Sequence, residues 1–136
     1  MTETPFHLNN KTILVTGASS GIGRQVCISA SKMGATIVLN GRNIKELKET
    51  LAQLQGTGHN IISADLVDQT ERVRLSIEIP EIDGLVHCAG IVKPFPIKFL
   101  NQQKIDETLK TNYEAPVLMM AALLKEKKIN KNASLV

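Results

Sequence analysis

The stretch that decides the fold is TILVTGASSGIG, residues 12–23. Its first five residues are β-branched or apolar and predict a buried strand, and its glycine-rich end predicts a tight turn into a helix. We expect Gly17 to permit the turn, Gly21 to let a ligand approach the backbone, and Gly23 to let the helix pack closely on the strand.

The same turn has the chemistry of a phosphate site. The helix is predicted at about residues 21–33, and Gly34 ends it. Free N–H groups at its start, the helix dipole and the hydroxyls of Ser19 and Ser20 would all favour an anion. The spacing is GxxxGxG and not GxGxxG, so a turn that binds nothing is the alternative.

Apolar, β-rich runs alternate with amphipathic stretches along the rest of the chain. This alternation is typical of a parallel sheet flanked by helices. Asn43 and Asp68 occupy helix N-cap positions, each with a glutamate three residues later, and Pro80 closes the second of these helices. The other predicted strands are residues 36–40, 61–64, 84–88 and 133–136.

Composition excludes several classes of protein. The 136 residues are 43% hydrophobic, which suits one domain with a core. The net charge of +3 is spread widely, and three Phe, one Tyr and no Trp offer little base stacking, so we expect no nucleic-acid partner. Without a secretory signal or apolar span, the protein should be cytoplasmic and make no membrane contact. Cys27 and Cys88 lack metal-ligand spacing and are expected to be two buried thiols, with no metal site.

The segment TGASSGIG, residues 16–23, resembles letter for letter the cofactor motif of short-chain dehydrogenases/reductases, and the later motifs follow that family's order. The resemblance implies an α/β protein with a Rossmann-like, doubly wound parallel sheet in the order 3-2-1-4-5. It covers essentially the whole chain but only about the first half of the family's domain. We therefore expect residues 1–136 to form a single NAD(P)-binding Rossmann domain, incomplete at its C-terminus and truncated after the fifth strand. In the turn, the implied cofactor contacts are Gly17, Ser19, Ser20, Gly21, Ile22 and Gly23.

The end of the second predicted strand favours NADP(H) over NAD(H). Enzymes that prefer NAD commonly carry an acid there, whereas this chain has Gly41 followed by Arg42. A guanidinium can bind a 2′-phosphate through two parallel hydrogen bonds. The second basic residue that often precedes the family's middle glycine is replaced by Ser20, and Arg24 either assists or points to solvent.

Two further motifs are implied to contact the cofactor. Asp65 and Leu66 resemble the family's adenine-binding pair, although Asp65 also suits a plain turn. Residues 87–90 stand in place of the family's Asn-Asn-Ala-Gly, so the ribose would lie against Cys88, Ala89 and Gly90. His87 is expected to be a core histidine with its hydrogen bonds satisfied, and not a base or ligand.

Catalysis in this family uses a Ser, a Tyr-x-x-x-Lys pair and an Asn. Asn112, in TNYEAPV, matches the Asn and is implied to support a water in the proton relay; a polar packing role is the alternative. Tyr113 is followed four residues later by Val117, so it fails the Tyr-x-x-x-Lys pattern. We expect the missing residues beyond Val136, and this chain alone to be inactive.

The resemblance therefore implies an NADP-dependent oxidoreductase that reduces a carbonyl, or oxidises an alcohol, of a small molecule by hydride transfer. In complete form it would be a homo-oligomer, a dimer or tetramer. The apolar run VLMMAALL, residues 117–124, is one candidate interface, although packing on its own sheet would explain it equally. The alternative functions are a non-catalytic NADP(H)-binding module and a truncated remnant.

Overall fold

The computed structural model describes residues 5–136. Residues 1–4 lie outside the described residues; they belong to the predicted domain and to the N-terminal segment in which the sequence shows no secretory signal. Strands and helices alternate as β1 Thr12–Thr16, α1 Gly21–Lys32, β2 Thr36–Gly41, α2 Ile44–Leu51, β3 Asn60–Ser63, α3 Gln69–Glu78 and β4 Ile82–His87. A 3-10 turn, Ile97–Phe99, precedes α4, Gln102–Leu109. A π-helical turn, Lys110–Glu114, then joins α4 to α5, Ala115–Lys125, and β5 is Ile129–Leu135.

Residues 5–136 build one five-stranded sheet in the order β3-β2-β1-β4-β5, and every strand pair is parallel. The strand order predicted from the family resemblance is confirmed. In the centre of the sheet, Val15 of β1 pairs with Leu39 of β2 on one side and with Val86 of β4 on the other. Strand order reverses between β1 and β4, which opens a crevice at the carboxyl ends of these strands.

Helices cover both faces of the sheet, as the doubly wound fold requires. On one face Leu14, Val38 and Leu85 pack against side chains of α3 and α5. On the other, Val15, Ile37 and their neighbours pack against α1 and α2. Each face buries a separate apolar cluster, and burial of that apolar surface is the main contribution holding the helices to the sheet.

Short polar side chains start two of the helices, and a glycine ends a third, where the sequence predicts. The Asn43 carboxamide accepts a hydrogen bond from Glu46 N at 3.2 Å, and the Asp68 carboxylate accepts one from Glu71 N at 2.9 Å. Gly34 has φ +95°, a conformation that L side chains rarely adopt, so it ends α1.

Four predicted strands have different limits in the structure, of which β2 differs least and extends one residue further than predicted, to Gly41. Strand β3 starts one residue earlier than predicted, and β4 runs from Ile82 to His87, not over residues 84–88. The prediction of β5 at 133–136 is wrong at its start, because pairing with β4 already begins at Ile129. A β-bulge follows, with Asn132 at φ 65°, so the polar residues before residue 133 belong to the strand although their pattern is not apolar.

Asp83 ties three strands together at the opposite edge of the sheet from the crevice. Its carboxylate accepts hydrogen bonds from Thr12 N of β1 at 2.9 Å and from Asn130 Nδ2 of β5 at 3.0 Å. These two donors stabilise the charged form and lower the pKa of Asp83 below its ordinary value.

Candidate functional site

A cavity of about 390 Å³ lies at the carboxyl ends of the central strands. A volume of this size suits part of a large ligand. All the residues that the sequence predicts as cofactor contacts line this cavity: Gly17, Ser19, Ser20, Gly21, Ile22, Gly23, Arg42, Asp65, Leu66, Cys88, Ala89 and Gly90. Lining residues that were not predicted include Thr16, Asn40, Thr111 and Pro116.

The turn between β1 and α1 presents free hydrogen-bond donors to this cavity. Within residues 5–136, the backbone N–H groups of Ser19 and Ser20 donate no hydrogen bond. Ser20 is the N-cap residue of α1, yet its hydroxyl makes no capping bond, and the first helical turn contains no acid. The N-terminus of α1 is therefore available for an anion.

Three glycines shape the turn in different ways. Gly17 has φ +65°, and an added Cβ would lie 2.7 Å from Ala89 N. A Cβ on Gly23 would lie 2.1 Å from the Gly17 carbonyl oxygen, so only glycine lets α1 start this close to the strand end. Gly21 has φ +54°, and a Cβ added there would meet nothing within 4 Å, which leaves open space for a ligand.

Two arginines near the turn have different surroundings. Arg42 follows Gly41 at the end of β2, lines the cavity, and has no ion pair among the described residues. Arg24 does not line the cavity, and its side chain is 28% exposed. Its guanidinium bonds Thr50 Oγ1 and Ser19 O, so of the two predicted alternatives the side chain does not simply point to solvent.

The Asp65–Leu66 turn is held by two side chains of α3. The Glu71 carboxylate accepts a hydrogen bond from Asp65 N, and the buried Arg72 donates to Leu66 O at 2.7 Å and Val67 O at 2.8 Å. Asp65 Oδ1 accepts from Val67 N at 3.0 Å. The sequence did not indicate Arg72, because its role depends on where α3 packs.

Thr16 fixes the end of β4 against the glycine-rich turn between β1 and α1. Its hydroxyl accepts hydrogen bonds from Cys88 N and Ala89 N, both at 3.2 Å. Cys27 is buried as predicted, and this burial, with a smaller contribution from Cys88, raises the pKa of the Cys27 thiol to about 12. The prediction of two buried thiols is wrong for Cys88, which is only partly buried because it follows the end of β4 and borders the cavity.

His87 differs from the satisfied core histidine predicted from the sequence. It is half-buried and lines the cavity, and its Nε2 is a buried atom with no hydrogen-bond partner among the described residues. Burial lowers the pKa of His87, which favours the neutral ring. The prediction fails because the end of β4 is open to the cavity, so the strand neighbours do not supply a partner.

Asn112 lies in the π-helical turn and clamps the chain that leaves β4. Its Oδ1 accepts from Ile91 N at 2.8 Å, and its Nδ2 donates to Ile91 O at 2.8 Å. Both polar groups of the side chain are therefore engaged. Tyr113, next to it, is 64% exposed and does not line the cavity.

The described part of the chain contains neither a metal-binding cluster nor a membrane-spanning helix. No cluster of three or more His, Cys, Asp or Glu side chains in residues 5–136 could hold a metal ion. None of the helices in this range has the length and apolar character needed to cross a membrane.

Comparison with known proteins gives a consistent result. A family model described as short chain dehydrogenase matches residues 11–136. The chain is 35% identical over 117 residues to L-xylulose reductase of Caenorhabditis elegans, covering 84% of this chain and 47% of that protein. It is 33% identical over 124 residues to D-threitol dehydrogenase of Mycolicibacterium smegmatis, covering 87% of this chain and 48% of that protein. A short chain dehydrogenase structure from Shigella flexneri superposes with a TM-score of 0.79 at 30% identity, over 87% of this chain and 50% of that one.

The parallel sheet and the glycine turn at its carboxyl edge define a Rossmann-like α/β protein. The chain belongs to the short-chain dehydrogenase family, a family of NAD(P)(H)-binding oxidoreductases. It spans about half the length of the curated relatives that it matches.

Proposed function

We propose that the chain is the NADP(H)-binding part of an oxidoreductase that reduces a carbonyl, or oxidises an alcohol, of a small molecule. The observation that carries the choice of NADP(H) is Arg42, which lines the cavity and has no ion pair among residues 5–136. The preceding Gly41 supplies no carboxylate that would repel a 2′-phosphate. NAD(H) is the less favoured cofactor.

The residues present fit a dinucleotide. Free N–H groups at the start of α1 would hold the pyrophosphate, and the open side of Gly21 leaves room for it. Asp65 would accept from the adenine amino group, with Leu66 beside the ring. The ribose would lie against Ala89, with Cys88 and Gly90 on either side of that residue. When bound, the nicotinamide supplies or accepts the hydride.

We propose a positioning role for Asn112. Its side chain fixes Ile91 and so the strand end that carries Ala89 and Gly90; a Cβ on Gly90 would lie 3.3 Å from Asn112 Oδ1. Because both side-chain groups are engaged, support for a relay water would have to come from the backbone carbonyl of Asn112. The helix is irregular at this residue, as helices often are at functional sites.

The cofactor choice is tested by titrating the full-length gene product with NADPH and NADH. Arg42→Ala should weaken NADPH binding about 10- to 100-fold, the range for losing charged hydrogen bonds to a phosphate, and leave NADH nearly unchanged. Lys48→Ala is a matched control, because Lys48 is an exposed cation on α2 that does not line the cavity.

Gly41→Asp gives the converse test. The atom nearest to a Cβ added at Gly41 is the end of the flexible Leu47 side chain, at 3.2 Å, and the new carboxylate should favour NADH over NADPH. Tighter binding of NADH than of NADPH by the unaltered protein would refute the proposal, and so would an Arg42→Ala variant with unchanged NADPH affinity.

The remaining proposals concern the whole protein. The relatives include both a reductase and a dehydrogenase. We favour carbonyl reduction, because NADPH-linked enzymes usually run in that direction. We place the protein in the cytoplasm. Residues 1–136 form a single Rossmann domain, and the complete protein forms a homodimer or homotetramer. Exposed Val117, Leu118 and Leu124 on α5 support an interface there.

A second candidate is an NADP(H)-binding module without chemistry. Within residues 1–136 the single tyrosine, Tyr113, is followed four residues later by valine and so forms no Tyr-x-x-x-Lys, and the test therefore needs the full-length gene product. NADPH consumption with a panel of small aldehydes and ketones distinguishes the two. Turnover by the full-length gene product supports the oxidoreductase, and tight NADPH binding without turnover supports the module.

A further inference from the structure

A hydrogen-bond network lies beneath the phosphate-binding turn, on the side that faces α2. Thr50, fully buried on α2, donates from Oγ1 to Ala18 O at 2.9 Å and is also within 3.2 Å of Glu46 O. Arg24 of α1 donates from Nε to the same Thr50 oxygen at 2.9 Å and from Nη2 to Ser19 O at 2.5 Å. Two consecutive carbonyls of the turn, those of Ala18 and Ser19, are therefore hydrogen-bonded by these two side chains.

Peptide geometry connects these carbonyls with the cavity. In a planar trans peptide unit the C=O of one residue and the N–H of the next point in opposite directions. The carbonyl of Ala18 points towards Thr50 and that of Ser19 towards the Arg24 guanidinium, so the N–H groups of Ser19 and Ser20 point away from these two side chains. Ser19 and Ser20 line the cavity, and among residues 5–136 these N–H groups have no acceptor.

The charge of Arg24 is already engaged by protein groups. Besides Thr50 and Ser19, its Nη2 lies 3.5 Å from the Glu49 carboxylate and 3.5 Å from Glu46 O. Arg24 does not line the cavity, in contrast to Arg42. A direct contact between Arg24 and a cofactor phosphate would require this network to break.

We propose that Arg24 and Thr50 are positioning residues, which fix two peptide units of the turn so that the N–H groups of Ser19 and Ser20 point at the cofactor pyrophosphate. The inference rests on the proposed binding of NADP(H). It predicts that loss of the Arg24 contacts weakens the binding of both dinucleotides equally, because NADP(H) and NAD(H) share the pyrophosphate. The 2′-phosphate, near Arg42, is outside the network.

The test measures binding of three ligands to the full-length gene product: NADP⁺, NAD⁺ and adenosine 2′-monophosphate, which lacks the pyrophosphate. Arg24→Met keeps an unbranched stem without donors, and Thr50→Val keeps the shape of threonine without its hydroxyl. Each change should weaken both dinucleotides by about tenfold, the equivalent of one charged hydrogen bond, and leave adenosine 2′-monophosphate within about twofold. Thr50→Ser retains the hydroxyl and should restore dinucleotide binding.

Lys32→Met is the matched control for Arg24→Met, because it removes an exposed cation from the same helix. Circular dichroism melts identify any variant that does not fold; Arg24→Lys and Thr50→Ser then provide milder tests of the same contacts, with loss for the first and rescue for the second. These measurements separate positioning from a general loss of structure, which would weaken all three ligands together.

Three outcomes would overturn the inference. A loss shared by NADP⁺ and adenosine 2′-monophosphate, with NAD⁺ unaffected, would mean that Arg24 contacts the 2′-phosphate directly, and an equal loss for all three ligands would mean a purely structural role. Unchanged affinities in both variants would mean that the network does not orient the turn. The proposed function fails separately, when the unaltered protein binds neither dinucleotide.

Discussion

Replacing Thr16 by valine tests how β1 holds the end of β4. Thr16 is 1% exposed, and its hydroxyl accepts hydrogen bonds from Cys88 N and Ala89 N, both at 3.2 Å. Valine has nearly the same shape, so the change leaves no cavity. It leaves two N–H groups without their acceptor, which makes the hydrogen bonds the main energetic difference.

The expected loss follows from those two donors. A buried donor without a partner costs about 1–3 kcal/mol. We expect each of these two N–H groups to cost an amount near the lower end of that range, because both hydrogen bonds are long and both groups lie beside the cavity. We therefore expect the free energy of unfolding of Thr16→Val to fall by about 2–3 kcal/mol. With a urea m-value of about 2 kcal/mol/M, the unfolding midpoint would fall by about 1 M.

The assay is urea unfolding of the full-length gene product, followed by circular dichroism, with two controls. Thr16→Ser retains the hydroxyl and should lose only about 1 kcal/mol for a buried methyl group. Thr12→Val, in the same strand, removes a hydroxyl that makes no hydrogen bond among the described residues, and should change stability by less than about 0.5 kcal/mol. Equal losses for Thr16→Val and Thr16→Ser, or a Thr16→Val variant as stable as the parent, would refute the reasoning.

Three other perturbations have defined outcomes. Gly23→Ala should lower the melting temperature and weaken both dinucleotides, because its Cβ would lie 2.1 Å from the Gly17 carbonyl oxygen; a parent-like melt would contradict this packing. The pKa of Asp83 is lowered in the folded state, so its contribution to stability is present above the unfolded pKa of about 3.9 and is lost as pH falls through the folded value. Asp83→Asn should therefore flatten the decline of urea midpoints below about pH 4, and an unchanged acid profile would argue against the carboxylate clamp. With a pKa of about 12 and complete burial, Cys27 should resist iodoacetamide at pH 8, whereas Cys88 should react first and be protected by NADPH; mass spectrometry that shows Cys27 modified first would reverse that order.

The sequence predicts the fold well where local pattern and tertiary pairing agree. Strand β1 has the predicted limits, because its residues are apolar or β-branched and pair with β2 on one side and with β4 on the other. Strand β5 shows the opposite case. Its first residues include Asn130 and Asn132, which no periodicity assigns to a strand, and a bulged pairing with β4 places them there. Register shifts of this kind depend on the partner strand and so are not visible in a local window.

The same distinction separates the predicted and missed residues of the site. Glycines of the turn act through their own backbone conformation, so their spacing already indicates their positions. Thr50 and Arg24 act on carbonyls elsewhere in the turn, and only the packing of α2 against α1 brings them there. One signal was nevertheless available. Thr50 follows Leu47 by three residues, on the apolar face of α2, and a hydroxyl at a buried position requires a partner. A polar residue on a predicted core face therefore indicates a buried hydrogen-bond partner elsewhere in the fold, and for Thr50 that partner is Ala18 O in the glycine-rich turn.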